Sequence, residues 1–122
     1  MMVYNNSLIK SFGYAFEGVF HALRENRNLR IHFTVALLVV LLGIYLQVNH
    51  FEMGILIVMI ILVISSEMIN TALEEMVNLI VSEHRKAAKI AKDVAAGMVL
   101  VTAIGSVIVG SLIFLPYILR LL

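Results

Sequence analysis

The chain has 122 residues, room for one domain, and is 61% hydrophobic against 14% charged, with a mean hydropathy of +1.01. A water-soluble domain of this size cannot bury so much apolar side chain, so the composition excludes a soluble globule and leaves lipid as the remaining solvent. The net charge of +1 singles out no partner and no nucleic-acid partner is expected, while the absence of cysteine rules out disulfide and thiolate chemistry.

Met1–Asn6 lead into an amphipathic stretch, not into the apolar core of a cleavable signal peptide. From about residue 7 to 28, Leu8, Phe12, Ala15, Val19 and Leu23 recur at helical spacing, with Lys10, Glu17, His21 and Arg24 on other faces. This predicts a helix lying in the membrane interface, or else one packed on a partner in water. The charge-free run 31–48 is near the minimum of about 20 residues for a spanning helix. After a link of a few residues a second apolar run starts at Met53; it meets Glu67 but keeps its apolar pattern to Val81, giving a second span over 53–81. So short a link makes the first two spans an antiparallel hairpin. The segment Ser82–Asp93 is basic and short, with Ala87, Ala88 and Ala91 favouring helix, and residues 94–119 form a third span. Along that span Thr102, Ser106 and Gly110 repeat every four residues, which permits close approach of a neighbouring helix, in the same chain or in another subunit.

Lys10, Arg24, Arg27 and Arg30 precede the first span, and Arg85, Lys86, Lys89 and Lys92 separate the second from the third. The 47–52 link has no Lys or Arg, and the C-terminus has Arg120 alone. By the positive-inside rule the N-terminus and the second loop face the cytoplasm. The expected architecture is a single all-α membrane domain over residues 1–122, an interfacial helix followed by three transmembrane helices, in a multi-pass cell-membrane protein.

The second span carries the most informative residues. At about 100° per residue, Glu67, Asn70, Glu74 and Asn78 fall within about 80° of arc, one polar stripe on an otherwise apolar helix. Glu67 lies roughly 20 Å along the span from Met53, below the headgroups, where a carboxylate costs several kcal/mol unless protonated, paired or wetted. A hydrogen-bond network between packed helices would account for such a stripe, but a purely structural protein gains little from it. Glu67 suits a general base for a hydroxyl at the bilayer boundary. Glu74, two turns on, suits Mg²⁺ bound through oxygen and bridging phosphates. Asn70 between them suits a carboxylate or a phosphate oxygen, and Glu75, about 80° off the stripe, reads as a solvated side chain.

Lys92 and Asp93 stand at the mouth of the third span, followed by small residues up to Gly97. Lysine can neutralise transferring phosphate oxygens and aspartate can assist a metal or a ribose, but taken alone the pair reads as interfacial anchors. No P-loop and no G-x-G-x-x-G is present. His21, His32, His50 and His84 lack zinc spacing, and His32 at the membrane boundary reads as a plain interfacial histidine ahead of a cap on the polar stripe.

The run Glu67-Met-Ile-Asn70-Thr71-Ala-Leu-Glu74, followed by Ala88-Lys-Ile-Ala-Lys92-Asp93-Val-Ala-Ala-Gly97, resembles the signature of the prokaryotic diacylglycerol and undecaprenol kinases. Phe12-Gly-Tyr14-Ala-Phe-Glu-Gly18 looks like that family's surface helix, and Arg27-Asn-Leu-Arg-Ile-His32 like the start of its first span, closer to the undecaprenol kinases. The resemblance implies ATP- and Mg²⁺-dependent phosphorylation of a membrane lipid alcohol by a homotrimer with active sites between subunits. It implies Glu67 as base, Glu74 as metal ligand, Asn70, Lys92 and Asp93 as contacts to ATP or its metal, and Tyr14 near the adenine. Where the family usually has a metal-binding Glu, two residues before Asn28, this chain has Asn26, with Glu25 one residue earlier. Either the helix ends there and Glu25 swings in, or Asn26 serves as a weaker neutral ligand. Asn78 stands where the family commonly has Asp.

Two readings of other classes compete with the kinase. A small proton-coupled transporter would cycle protons on Glu67, but needs water access from both sides. A non-catalytic scaffold would oligomerise through Thr102, Ser106 and Gly110 and leaves Glu67 unexplained.

Overall fold

The computed structural model describes residues 7–80 and 85–122, so Met1–Asn6, Val81 at the expected end of the second span, and Ser82–His84 of the basic segment lie outside the described residues. Those described form four helices: α1 (Leu8–Glu25), α2 (Arg27–Leu46), α3 (His50–Ile80) and α4 (Lys86–Leu121). The last three are long and apolar enough to cross a membrane. Each helix runs past its apolar stretch: α2 starts four residues before Ile31, α3 three before Met53, and α4 eight before Val94. Backbone hydrogen bonding carries a helix into polar sequence until something else satisfies its terminal groups.

Between α1 and α2 that terminator is Asn26. Its backbone leaves the helical region (φ −113°, ψ 106°), while its N–H still donates to the Ala22 carbonyl, ending α1. Its side-chain oxygen then accepts from the Leu29 N–H at 3.2 Å, capping α2. Arg30 folds back to donate to the Leu23 and Arg24 carbonyls, both at 2.8 Å, so the bare end of α1 is satisfied from the next helix. Ala22 and Leu29 are buried at this elbow. The other link, 47–49, is a tight reversal. Gln47 takes the left-handed conformation (φ 56°, ψ 45°), and the Gln47 and Val48 N–H groups close on carbonyls of the last turn of α2. Asn49 and Glu52 then cap α3 reciprocally, each side chain accepting from the other's backbone N–H.

The α3 helix is the axis of the molecule; 22% of its apolar window is buried, against 11% in α2 and in α4. Cross-helix pairs give its antiparallel register. On α2, Asn26 and His32 meet Glu67 at one end, and Gly43 lies against Met53 at the other. On α4, Lys92 meets Asn78, Thr102 meets Ser66, and Tyr117 meets Glu52. The small core of Leu56, Ile113 and Phe114 sits towards the 47–49 end. Thr102 and the buried Ser66 share a hydrogen bond of 2.9 Å, so this member of the small-residue stripe ties α4 to α3 within one chain. Each hydroxyl also lies within hydrogen-bond reach of a carbonyl in its own helix, Val63 or Val99; with one hydrogen apiece, one hydroxyl donates to its carbonyl and the other donates across. Gly105, outside the stripe, is the α4 glycine that α3 approaches: a Cβ there would meet the Met59 methyl at 3.6 Å, whereas one on Gly110 would meet nothing within 4 Å.

Candidate active site

The end of the bundle where α1 turns into α2 gathers the polar stripe. Glu67 is 2% exposed, the one acidic side chain buried to that degree among the described residues. Both of its carboxylate oxygens face partners on other elements. Asn26 Nδ2 donates to Oε2 at 3.1 Å, and His32 Nε2 lies 3.3 Å from Oε1. The same Asn26 amide donates to Thr71 Oγ1 at 2.7 Å, while Thr71 donates to the Glu67 carbonyl at 3.0 Å. Asn26 therefore caps a helix with its oxygen and holds the buried carboxylate with its nitrogen. A carboxylate in this position would instead place a second negative charge about 3 Å from the first, repulsive by several kcal/mol in a poorly hydrated site.

His32 and Thr71 are the members of this cluster that the sequence pattern does not single out. His32 is no plain interfacial histidine. It lies about one and two-thirds turns along α2 from the Asn26 cap, and its ring meets the same carboxylate. A cue existed in the spacing of six residues between Asn26 and His32, but the rotational phase of α2 cannot be read from an otherwise apolar helix.

Beside this cluster lies a cavity of about 320 Å³, lined by Glu25, Asn26, Arg27, Asn28, Asn70, Thr71, Glu74, Glu75 and Asn78. Glu25 and Glu74 share it because α1 ends at Glu25. The Asn26 amide is already engaged by Glu67 and Thr71. Asn70 Oδ1 is buried and accepts no hydrogen bond among the described residues. A buried, unmatched carbonyl oxygen costs about 1–3 kcal/mol, so this atom is set for a cation or a donor that the protein alone does not supply. No three His, Asp or Glu among the described residues are grouped to hold an ion unaided. The carboxylates of Glu25 and Glu74 with the Asn70 oxygen are hard ligands of the kind Mg²⁺ shares with phosphates, and Arg27 puts a positive charge on the same wall. The donor set thus fits a metal–phosphate group.

The remaining site expectations spread around this cavity. Lys92 reaches the stripe through Asn78, donating to Oδ1 at 2.8 Å. Asp93 is exposed and paired with Lys89 at 2.6 Å, four residues back on the same helix; neither it nor Lys92 lines the cavity. The hydrogen bond and charge of Asp93 raise the Lys89 ammonium above its ordinary value of 10.5. Tyr14 lies on α1, 44% exposed, and is not among the lining residues. Glu75 is exposed but partnered: His21 Nε2 on α1 is 2.7 Å from its Oε1, a tether between the first helix and α3.

A second cavity, apolar and of about 410 Å³, runs between α2, α3 and α4, with Leu42, Leu56 and Phe114 towards its far end. His32 is its one ionisable lining residue, and stands at the end nearest Glu67. The buried carboxylate therefore lies between a polar cavity, reached through Asn26 and Thr71, and an apolar one, reached through His32.

A profile of the prokaryotic diacylglycerol kinases matches residues 13–114. The undecaprenol kinase of Bacillus subtilis (strain 168) is 40% identical over 111 residues, covering 91% of this chain and 90% of its own. The diacylglycerol kinase of Synechocystis sp. is 41% identical over 117 residues, covering 95% and 67% respectively. The diacylglycerol kinase of Escherichia coli (strain K12) is 32% identical over 101 residues, 83% of each chain.

Proposed function

The chain belongs to the prokaryotic diacylglycerol kinase family and is a membrane-embedded lipid kinase; from that premise we propose that it transfers the γ-phosphoryl group of ATP to the hydroxyl of undecaprenol or diacylglycerol, with Glu67 as the base. The observation that carries this reading is the buried Glu67 carboxylate, partnered on both oxygens and set between a polar and an apolar cavity.

The polar cavity would take the triphosphate. Glu74, Glu25 and the unmatched Asn70 oxygen would hold Mg²⁺, whose chemistry is to neutralise the phosphate oxygens and the charge that develops as the bond to ADP breaks. Arg27 adds charge on the same wall, and Lys92 supplies another through its seat on Asn78. Asp93 and Tyr14 complete the ATP contacts in this reading; Asp93 would have to release Lys89 to do so. The apolar groove would take the hydrocarbon of the acceptor, whose hydroxyl then arrives beside Glu67. Phosphoryl transfer asks for little covalent work from a protein, so the chain contributes position, charge and a site for one proton.

The whole chain would act as one catalytic domain, with the N-terminus and the 82–93 segment in the cytoplasm, in keeping with their Lys and Arg. The apolar surface that α2, α3 and α4 leave exposed fits lipid and the neighbouring subunits of a homotrimer.

The test is a phosphorylation assay with purified protein in mixed micelles, with labelled ATP and Mg²⁺, against undecaprenol, diacylglycerol and no lipid. Labelled lipid phosphate in one of the lipid arms, absent with Glu67→Gln, is the expected result. No labelled lipid in either arm, or a fully active Glu67→Gln protein, overturns the reading.

A further inference from the structure

An acidic side chain on the wall of a phosphate site repels its ligand unless it serves something else. Glu75 lines the polar cavity, yet its Oε1 is taken by His21 Nε2 on α1 at 2.7 Å. An ionised carboxylate only accepts hydrogen bonds, so Nε2 carries the hydrogen. The two side chains are 50% and 54% exposed, and a pair so placed contributes little to overall stability. What it holds is the position of one helix. Ala22 is the one buried residue of α1 among the described residues, while Leu8, Ile9, Phe12, Phe16 and Phe20 are exposed, so little apolar packing seats this helix on α3. The C-terminal end of α1 is fastened to α2 through Asn26 and Arg30. A joint at one end leaves a helix able to swing about it, and the His21–Glu75 bond crosses from α1 to α3 just ahead of that joint. Glu25 follows His21 by four residues, about one turn or 6 Å along the same side of α1. The bond thus lies one turn from Glu25 on one helix and beside Glu74 on the other, the two carboxylates that line the cavity from opposite helices.

We propose that His21 and Glu75 are a positioning pair for the metal–phosphate site, and that the bond between them sets the spacing of Glu25 on α1 from Glu74 on α3. The proposal rests on the lipid-kinase reading and deepens it by naming what keeps the two sides of that site at one distance. Mg²⁺ demands near-octahedral geometry with oxygens at about 2.0–2.1 Å, so a shift of about 1 Å takes a carboxylate out of its shell. Neither member of the pair touches substrate in this role; both act through Glu25. The direction of the Glu75 effect separates this role from plain charge. Removing an acidic side chain from the wall of a phosphate site tightens anion binding by charge alone. Removing a tether loosens it.

The experiment measures binding to the purified protein in detergent micelles with no lipid alcohol present, so that the site is read without turnover. The probe is Mn²⁺ together with a non-hydrolysable ATP analogue, followed by loss of the free Mn²⁺ resonance. His21→Ala and Glu75→Ala are each expected to weaken binding about fivefold, the upper end for an exposed pair, and the two together no further than either alone. His21→Glu sets two carboxylates against each other and should weaken binding more; adding Glu75→His reverses the pair and should return binding to within about twofold of the wild type. Binding within about twofold of the wild type in His21→Ala, tighter binding in Glu75→Ala, or no recovery in the reversed pair overturns the proposal. In the phosphorylation assay the alanine variants should raise the KM for ATP by a similar factor and leave the KM for the lipid alcohol within about twofold, a split that a general loss of fold does not produce. A wild type that binds no Mn²⁺ with the analogue overturns the reading of the cavity and the proposal with it. A wild type that binds, with variants that bind equally well, overturns the proposal alone.

Discussion

Two of the partnered carboxylates on α3, Glu52 and Glu67, are held in contrasting ways. Glu52, in the first turn, accepts from Tyr117 and from the Asn49 N–H three residues back, in a reciprocal cap; Arg120 stacks over the Tyr117 ring at 5.3 Å. Each of these contacts closes a helix terminus or ties α4 to α3, so the fold accounts for Glu52 completely. Glu67 sits in mid-helix, where the backbone needs no side-chain oxygen, and both its partners come from α2 and the residue that caps it. The first carboxylate serves the chain that holds it. The second is a carboxylate whose enclosure costs stability and closes no helix terminus, which supports the role proposed for it.

The sharpest way to break this contrast is to neutralise each carboxylate in turn. Glu67→Gln should lower lipid phosphorylation by about 10²–10⁴-fold, the range for removing an acid–base group. Glu52→Gln should leave kcat within about threefold and show itself in thermal stability alone. Equal losses of kcat in the two variants would erase the distinction. Next in size is Asn26→Ala, which removes a helix cap worth about 1 kcal/mol and strips Glu67 of a hydrogen bond, together about 2–4 kcal/mol in a denaturation titration. Asn26→Asp keeps the cap but sets two carboxylates face to face, so its stability should fall at least as far as that of Asn26→Ala in the same titration. Tyr117→Phe is smaller, about 0.5–1.5 kcal/mol of stability with unaltered kcat. The smallest effect is at Lys89. Its ammonium titrates above 10.5 in the folded protein because of Asp93, so the pair stabilises at neutral pH and loses that contribution only as the pH rises through the raised value. The melting difference between wild type and Lys89→Met should accordingly vanish in strong alkali.

The same contrast explains which parts of the molecule the sequence reveals. Three long apolar runs interrupted by basic segments announce three lipid-facing helices, because hydrophobicity is a property of each segment alone. The stripe of Glu67, Asn70, Glu74 and Asn78 is equally legible, since helical period fixes which residues share a face. What an isolated helix cannot reveal is its rotation about its own axis relative to a neighbour. The meeting of His32 with Glu67, the engagement of Lys92 with Asn78, and the pairing of Asp93 with Lys89 away from the cavity all depend on such rotations or on rotamer choice. The end of α1 at Glu25 depends on a single side chain. Asn26 is an ordinary polar residue by composition, and only its simultaneous bonds to Leu29, Glu67 and Thr71 show why the helix breaks there and why Glu25 reaches the cavity beside Glu74.

That one amide has a consequence for how the protein fails. The elbow between the surface helix and the bundle, and the tether of the buried carboxylate, are closed by opposite ends of the same side chain. A movement of that side chain disturbs both at once. Fraying of the joint, by heat, detergent or removal from a bilayer, is therefore also a disturbance of the buried Glu67 carboxylate. Loss of activity should run ahead of loss of helix content, and the catalytic rate becomes a sensitive gauge of whether the first helix is seated.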